Sequence, residues 1–434
     1  MVTMSSFSML SRLDLRDADA NLGVLTARIE DDGSAVDAVR EIVADVRARG
    51  DEALHELTKR FDGCRVDDLR VPTDELQAAL DDTRPEFRAA LDYAREQITA
   101  YHEAQLGDDV RVERDGVLLR ELVVPVDRAG LYVPGGRAAY PSTVLMTAIP
   151  ARVAGVPELA LCVPPDAEGR VQAATLAAAA LVGVDEVYRV GGAQAIAALA
   201  YGTKTIRPVD LVVGPGNVYV TLAKREVAGV VGIESLSGPS ELVVVADGTA
   251  DPTLVAADLV AQAEHGPDGA AILVTWDEAV ADAVDDAVTT LVIDAPRRAE
   301  VESTLASGGR VVIVDGPDKA VEAANAIAPE HLELVTADPE ALVPQVRNAG
   351  AVFCGPWSPA AVGDYVAGVN HVLPTARTAR FASALRVDTF RKHVHVVTFD
   401  EVALARVAPH VQAFADTEGL DAHALSVALR SADR

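Results

Sequence analysis

Leu159-Ala160-Leu161-Cys162-Val163, then residues 175–181, Val187-Tyr188-Arg189-Val190, residues 193–200, Leu211-Val212-Val213 and residues 218–227 form one alternation of short apolar runs with stretches of helix length, Ala-rich in the first two. Strands that are dry on both faces become continuous apolar runs, and the helices that cover them fill the intervals. This pattern predicts a parallel sheet wrapped by helices. It begins near Leu131 and restarts after Ser240, with a strand at 241–245, a helix at 254–264, strands at 271–275 and 310–314, a helix at 320–327 and a strand at 350–353. The chain therefore reads as α/β, with two units of similar build.

Before the first unit, residues 34–105 place apolar side chains at helical spacing, as in Ala35, Val39, Ile42, Val43 and Val46, and again in Leu91, Ala94 and Ile98. Asp115-Gly116 separates two apolar runs and predicts a hairpin, because a type I′ turn needs positive φ at both central residues. After Phe381 the sequence offers one β-like run at 393–399 and a terminal helix beyond Leu420.

The 434 residues include 66 Asp plus Glu and 38 Lys plus Arg, a net charge of −28. A phosphate-tracking surface or a basic membrane-binding face needs clustered cations, so no nucleic acid and no membrane is expected as a partner. Cys64, Cys162 and Cys354 are isolated and odd in number, which argues against a disulfide scaffold or a thiolate metal site and for a cytoplasmic setting. No apolar run approaches the roughly 20 residues that span a bilayer, and the first ten residues lack the charge and apolar core of a signal peptide.

Chemistry has several places to sit. Gln262 and His265 lie three apart at the end of a predicted helix, where one oxygen and one imidazole nitrogen can face a metal, or simply cap the helix. In Ala328-Pro329-Glu330-His331, proline stops a helix and leaves Glu330 and His331 on a turn. A neutral imidazole beside a carboxylate can divide acid/base work near neutral pH, or can be a solvated pair. Gly130 to Gly136, Gly191-Gly192 and Gly214-Pro215-Gly216-Asn217 follow strand-like runs, and the last two precede helices whose N–H groups suit a pyrophosphate. None is G-x-G-x-x-G, so ordinary tight turns explain them as well. Asp364 and His423 offer further N/O ligands, while His393 and His395 share one strand face as a rival metal pair.

Gly130-Leu-Tyr132-Val-Pro-Gly-Gly136, Gly191-Gly-Ala-Gln194-Ala, Gly214-Pro-Gly-Asn217-Val-Tyr-Val, Ser237-Gly-Pro-Ser240-Glu241, Gln262-Ala-Glu-His265, Ala328-Pro-Glu330-His331-Leu and Glu418-Gly-Leu with His423, in this order, resemble the histidinol dehydrogenase family over nearly the whole chain. The resemblance implies a zinc-dependent, NAD-linked enzyme that oxidises L-histidinol through L-histidinaldehyde to L-histidine, with two NAD as acceptors. It implies Gln262, His265, Asp364 and His423 as ligands of one zinc per subunit and Glu330 and His331 as the acid/base pair. It also implies Ser240, His371 and Glu418 as substrate contacts beside these groups, and Tyr132, Gln194 and Asn217 as NAD contacts. The implied fold is two incomplete Rossmann-like domains: 31–130 with 241–380, and 131–240. An N-terminal arm (1–30) and a C-terminal segment (381–434) that reaches the partner of a homodimer complete it.

Three other activities compete with that expectation. A zinc hydrolase would use Glu330 to activate water without NAD, a binding protein would hold the imidazole without turnover, and a relative would oxidise a different amino or sulfonated alcohol. NADH formation from histidinol separates them.

Overall fold

The structure, a computed structural model, describes residues 8–16, 22–26, 33–107, 109–135, 139–266 and 268–431. Gly136 and parts of the expected N-terminal arm lie outside the described residues. Two parallel sheets carry the molecule. In the five-stranded sheet the order is Glu186–Arg189, Glu158–Val163, Arg128–Tyr132, Leu211–Val213 and Gly232–Ile233. In the six-stranded sheet it is Ser11–Asp14, Gly309–Ile313, Ala270–Thr275, Glu241–Ala246, His331–Val335 and Ala351–Cys354.

Each sheet divides two apolar layers by the alternation of its own side chains. Leu131, Leu161 and Val213 enter one core of the five-stranded sheet, while Tyr132, Cys162 and Val212 enter the other. Leu242 and Val244 face one side of the six-stranded sheet, and Val243 and Val245 face the opposite side. The α/β class with two similar, incomplete Rossmann-like units is therefore the observed one. Four helices, Gly33–Arg49, Asp51–Phe61, Thr73–Asp81 and Pro85–Glu103, make up the helical opening, and Val39, Val46 and Ile98 are buried as their spacing predicted.

Some elements were not anticipated. Ser11–Asp14 adds an edge strand to the six-stranded sheet beside Gly309–Ile313. His331–Val335 is a fully buried strand next to Glu241–Ala246, because Glu333 interrupts the apolar run that would have announced it. A long helix, Glu401–Glu418, precedes the terminal helix Asp421–Ser431; Pro409 inside it and its few buried residues blur the helical signal. Among the described residues no helix is long and apolar enough to cross a membrane.

The Asp115-Gly116 hairpin forms as expected, with φ of 50° and 79°, and joins Arg111–Arg114 to Val117–Pro125. Arg391–Phe399 pairs antiparallel with the latter strand, so the C-terminal segment is anchored on the hairpin. Asp400 ends that pairing: its N–H bonds Gly116 O at 2.9 Å, and its carboxylate caps the next helix at Ala403 N, 2.7 Å away. A β-carbon on Gly116 would fall 2.3 Å from Asp400 Oδ2. Gly116→Ala should therefore cost about 1–2 kcal/mol through a lost cap and a strained φ. Thermal unfolding should show Gly116→Ala and Asp400→Ala costing less together than the sum of the two, and full additivity would refute the shared contact.

Candidate active site

The helix Pro317–Ile327 ends on Ala328, which is fully buried and sits in the left-handed region at φ 55°. A non-glycine residue there costs about 1–2 kcal/mol, and Pro329 itself disfavours a right-handed helical conformation at residue 328. The chain then turns sharply into the strand His331–Val335. Glu330 is the last residue of that turn, and its carbonyl accepts Ala351 N–H at 2.9 Å. His331 is the first strand residue, in register with Leu242 and Ala351, rather than part of the turn as its neighbouring proline suggested. Gly350 presses on this corner: a β-carbon there would lie 2.5 Å from Glu330 O.

Acid and base thus enter the interior side by side. Glu330 is 7% exposed and His331 is 6% exposed. Glu330 Oε2 accepts the N–H of Glu241 at 3.1 Å and stands 3.6 Å from His331 Nδ1, while His331 Nε2 stands 3.6 Å from Asp364 Oδ1. Burial raises the pKa of Glu330 above the usual carboxylate range, against the pull of the neighbouring imidazole. Burial alone would lower His331, but the carboxylates of Glu330 and Asp364 outweigh it and raise the imidazole to about 9. Asp364, although buried, is held below its ordinary value by His331 and the nearby histidines.

Two more histidines close the group. His371 Nδ1 donates to the Asp364 carbonyl at 2.9 Å, so its Nε2 accepts from the Thr143 hydroxyl at 3.1 Å, which links the two halves of the molecule. Burial lowers the pKa of this ring below the usual imidazole value. His265 lies beyond the end of the helix Pro252–Ala263, not on the helix face expected for it, and its Nδ1 reaches back to Gln262 O at 3.3 Å. That bond fixes the tautomer and leaves Nε2 as the ring nitrogen with a lone pair. Its ring lies within electrostatic reach of Glu330 and Asp364, which places it in the same cluster. The buried Gln262 amide has an Nε2 without a hydrogen-bond partner.

Ser240 borders the cluster, its carbonyl taken by Ala270 N–H at 3.1 Å. Glu418 and His423 do not join it within one chain: both are exposed on the C-terminal helix pair. Among the described residues no three His, Cys, Asp or Glu side chains converge to hold a metal ion, the exposed His393 and His395 beside Glu121 included.

On the five-stranded sheet, Tyr132 and Gln194 are buried and Asn217 is exposed. The helices Gly192–Tyr201 and Val218–Val227 do begin at the glycine-rich turns, but several of their leading N–H groups are already engaged. Tyr132 Oη accepts Gly192 N–H at 3.0 Å, and Asn217 Oδ1 accepts Tyr219 and Val220 N–H at 3.0 and 3.2 Å.

A half-buried acid beside Glu330 escaped the sequence reading. Glu241 opens its strand with a carboxylate oxygen lacking any partner, and burial together with the Glu330 charge pushes it up to about 7. A glutamate at a strand start looks like a solvated edge residue, so only the Ser-Gly-Pro-Ser run before it hinted at a role.

A family model described as histidinol dehydrogenase matches residues 26–431. Histidinol dehydrogenase from Synechococcus sp. is 51% identical over 421 residues, covering 96% of this chain and 97% of that protein. The enzyme of the same name from Rhizobium meliloti is 51% identical over 405 residues, covering 93% of each chain. A crystal structure of histidinol dehydrogenase from Elizabethkingia anophelis superposes with a TM-score of 0.93 at 35% identity, covering 98% of both chains.

The buried site dictates how stability varies with pH. Glu241, at about 7 in the fold against an ordinary 4.5, contributes fully below the ordinary value, and the contribution is lost as pH rises through 7. His331, at about 9 against 6.5, contributes fully below 6.5 and loses it through 9. The site should therefore lower the melting temperature as pH climbs from about 5 to about 9. Glu241→Gln should flatten the lower half of that decline and leave the upper half; an unchanged profile would show that Glu241 is not held protonated.

Proposed function

The chain belongs to the histidinol dehydrogenase family, NAD-dependent dehydrogenases of histidine biosynthesis, and we propose that it oxidises L-histidinol to L-histidine in a zinc-dependent, four-electron reaction. The aldehyde stays bound between two oxidations, and two NAD serve in turn. The observation that carries this reading is the buried Glu330–His331 pair opposed by Asp364.

The residues present suit a borderline cation. Gln262 offers the oxygen of a buried amide, His265 a free imidazole lone pair and Asp364 a carboxylate, with no thiolate in the set. A zinc ion held by these groups and by His423 would orient the amine and imidazole of histidinol as a Lewis acid, and by offsetting the Asp364 charge would return His331 toward its ordinary range. NAD, placed by Tyr132, Gln194 and Asn217, would accept a hydride from the substrate carbon in each half-reaction.

The protein's own groups then move the protons. A ring nitrogen of His331 takes the hydroxyl proton of the alcohol as the first electron pair leaves carbon. The Glu330 carboxylate takes a proton from the water whose oxygen adds to the aldehyde carbon, a role suited to a buried acid with a raised pKa, while His331 returns the proton taken from the alcohol to the aldehyde oxygen, completing the hydrate and freeing its ring nitrogen. His331 next accepts a hydroxyl proton of the hydrate as the second electron pair leaves, giving the carboxylic acid. Ser240, His371 and Glu418 hold the substrate, and holding the reacting groups in place supplies several kcal/mol of barrier lowering.

The working unit is a homodimer in the cytoplasm, with His423 and Glu418 completing the partner's site. Supporting this, the C-terminal helices and the sheet that anchors them leave large apolar side chains in water, Val402 at 74%, Phe414 at 71% and Leu429 at 67% exposure among them.

Two NADH should form per histidinol consumed, and one NADH with aldehyde released would overturn the four-electron reading. Glu330→Gln should slow aldehyde oxidation far more than alcohol oxidation, whereas His331→Ala should slow both. Mixing His423→Ala with Glu330→Gln protein should restore about one quarter of native activity, since half of the randomly paired dimers regain one intact site. No restoration after demonstrated subunit exchange would place His423 in its own chain's site or outside any site.

A further inference from the structure

A buried ion pair lies under one of the glycine-rich turns and has no part in the chemistry proposed above. Lys224, 1% exposed, is in the last turn of the helix Val218–Val227. Glu234 follows the edge strand Gly232–Ile233, and its side chain is 3% exposed. Lys224 Nζ donates to Glu234 Oε1 at 2.7 Å and to Gly214 O at 3.2 Å. The same carboxylate oxygen accepts Gly214 N–H at 2.7 Å. Helical side chains lean toward the N-terminus of their helix, so Lys224 reaches back to the turn from which its own helix starts. The pair thus grips both backbone polar groups of Gly214.

That residue sets the turn. Gly214 has φ 124°, and a β-carbon on it would fall 2.0 Å from Tyr132 O, so its backbone lies against one of the residues proposed above to place NAD. Three residues on, Asn217 caps the helix through Tyr219 and Val220 N–H. The turn 214–217 is therefore fastened at both ends, by Lys224 and Glu234 at one and by its own cap at the other. Two charges leave water to achieve this, and Glu234 Oε2 is buried without a partner. Packed apolar side chains of similar volume often serve stability as well as a buried ion pair does, but they offer Gly214 no partner.

We infer that Lys224 and Glu234 are positioning residues for the dinucleotide: they hold the turn 214–217 in one shape before the cofactor arrives, so that binding does not have to fix it. Both side chains act through the Gly214 backbone, being too buried to present their charges to a ligand. The inference rests on the NAD contacts proposed above.

Two variants of the full-length protein test it, Glu234→Gln and the double variant Lys224→Met with Glu234→Leu. Equilibrium NADH binding is read by calorimetry, KM for NAD and KM for histidinol are measured separately, and melting temperature reports folding. The double variant removes both charges and both bonds to Gly214. It should bind NADH on the order of tenfold more weakly, about the cost of fixing one backbone residue on binding, with KM for NAD rising in parallel and KM for histidinol unchanged. Glu234→Gln keeps the oxygen that accepts both bonds. It should bind NADH as the native protein does yet melt lower, because Lys224 loses its counter-charge. Native NADH affinity in the double variant would overturn the inference, as would an equal loss of affinity in both variants or an equal rise in both KM values. If the double variant does not fold, Glu234→Asp decides: one carbon shorter, it keeps the charge and withdraws the carboxylate from Gly214, and native NADH affinity there overturns the inference. A native protein that binds no NADH sinks the NAD reading and the inference with it, whereas native binding with an unaffected double variant sinks the inference alone.

Discussion

Everything near the site depends on keeping Glu330 and His331 charged or chargeable without water. Two ionisable groups taken out of solvent each lose several kcal/mol of hydration, and their mutual attraction repays this only when further groups satisfy what remains. The neighbours are arranged to do that. Glu241 N–H supports the Glu330 carboxylate, and Asp364 faces the other ring nitrogen of His331. The left-handed corner at Ala328 and the crowding of Gly350 on Glu330 O leave the acid one position to occupy. Strain in the backbone thus coincides with a site whose buried carboxylate and imidazole are held in place by their neighbours.

That corner also explains where the site lies. In open α/β sheets ligands usually gather beyond the carboxyl ends of the strands. Here Glu241 and His331 are the first residues of their strands, and His265 leads into the strand Ala270–Thr275, so the cluster sits at the opposite edge of the six-stranded sheet. The glycine-rich turns at Tyr132, Gly191 and Gly214 do follow the carboxyl ends of their strands, in the five-stranded sheet. Hydrogen bonds from Thr143 to His371 and from Asn370 to the Met146 carbonyl cross between the two halves and tie the cluster to the other unit.

The two-unit α/β build was legible because its strands are continuous Val, Leu and Ile runs, and no other local pattern produces them at that spacing. Glu330 and His331 were legible as a pair because Pro329 breaks the helix directly before them. Their burial was not, and neither was the strand that His331 opens, since Glu333 makes a dry strand look half wet. Glu241 looks like an ordinary strand-end acid until the tertiary fold brings Glu330 beside it. Asp364 and His371 carry no periodic signal that links them to His265, about a hundred residues earlier, and only the resemblance to a family connected them. The helix Glu401–Glu418 was missed for a different reason: it buries Ala403 and Ala415 and little else, so it has no apolar stripe facing its own chain.

The last point bears on how the C-terminal segment holds together. Most helical stability in proteins comes from burying an apolar face. Glu401–Glu418 and Asp421–Ser431 pack on each other, yet among them only Ala403, Ala415 and Ala424 are buried. A hairpin sheet that exposes Leu122, Val394 and Val397 is a weak platform for them. The segment needs a second surface, and the homodimer proposed above provides one. On that reading the apolar side chains that hold the segment in place and the polar pair it delivers, Glu418 and His423, belong to one device. Loosening the contact would then remove two site residues together with the interface, so assembly and catalysis would fail as a unit.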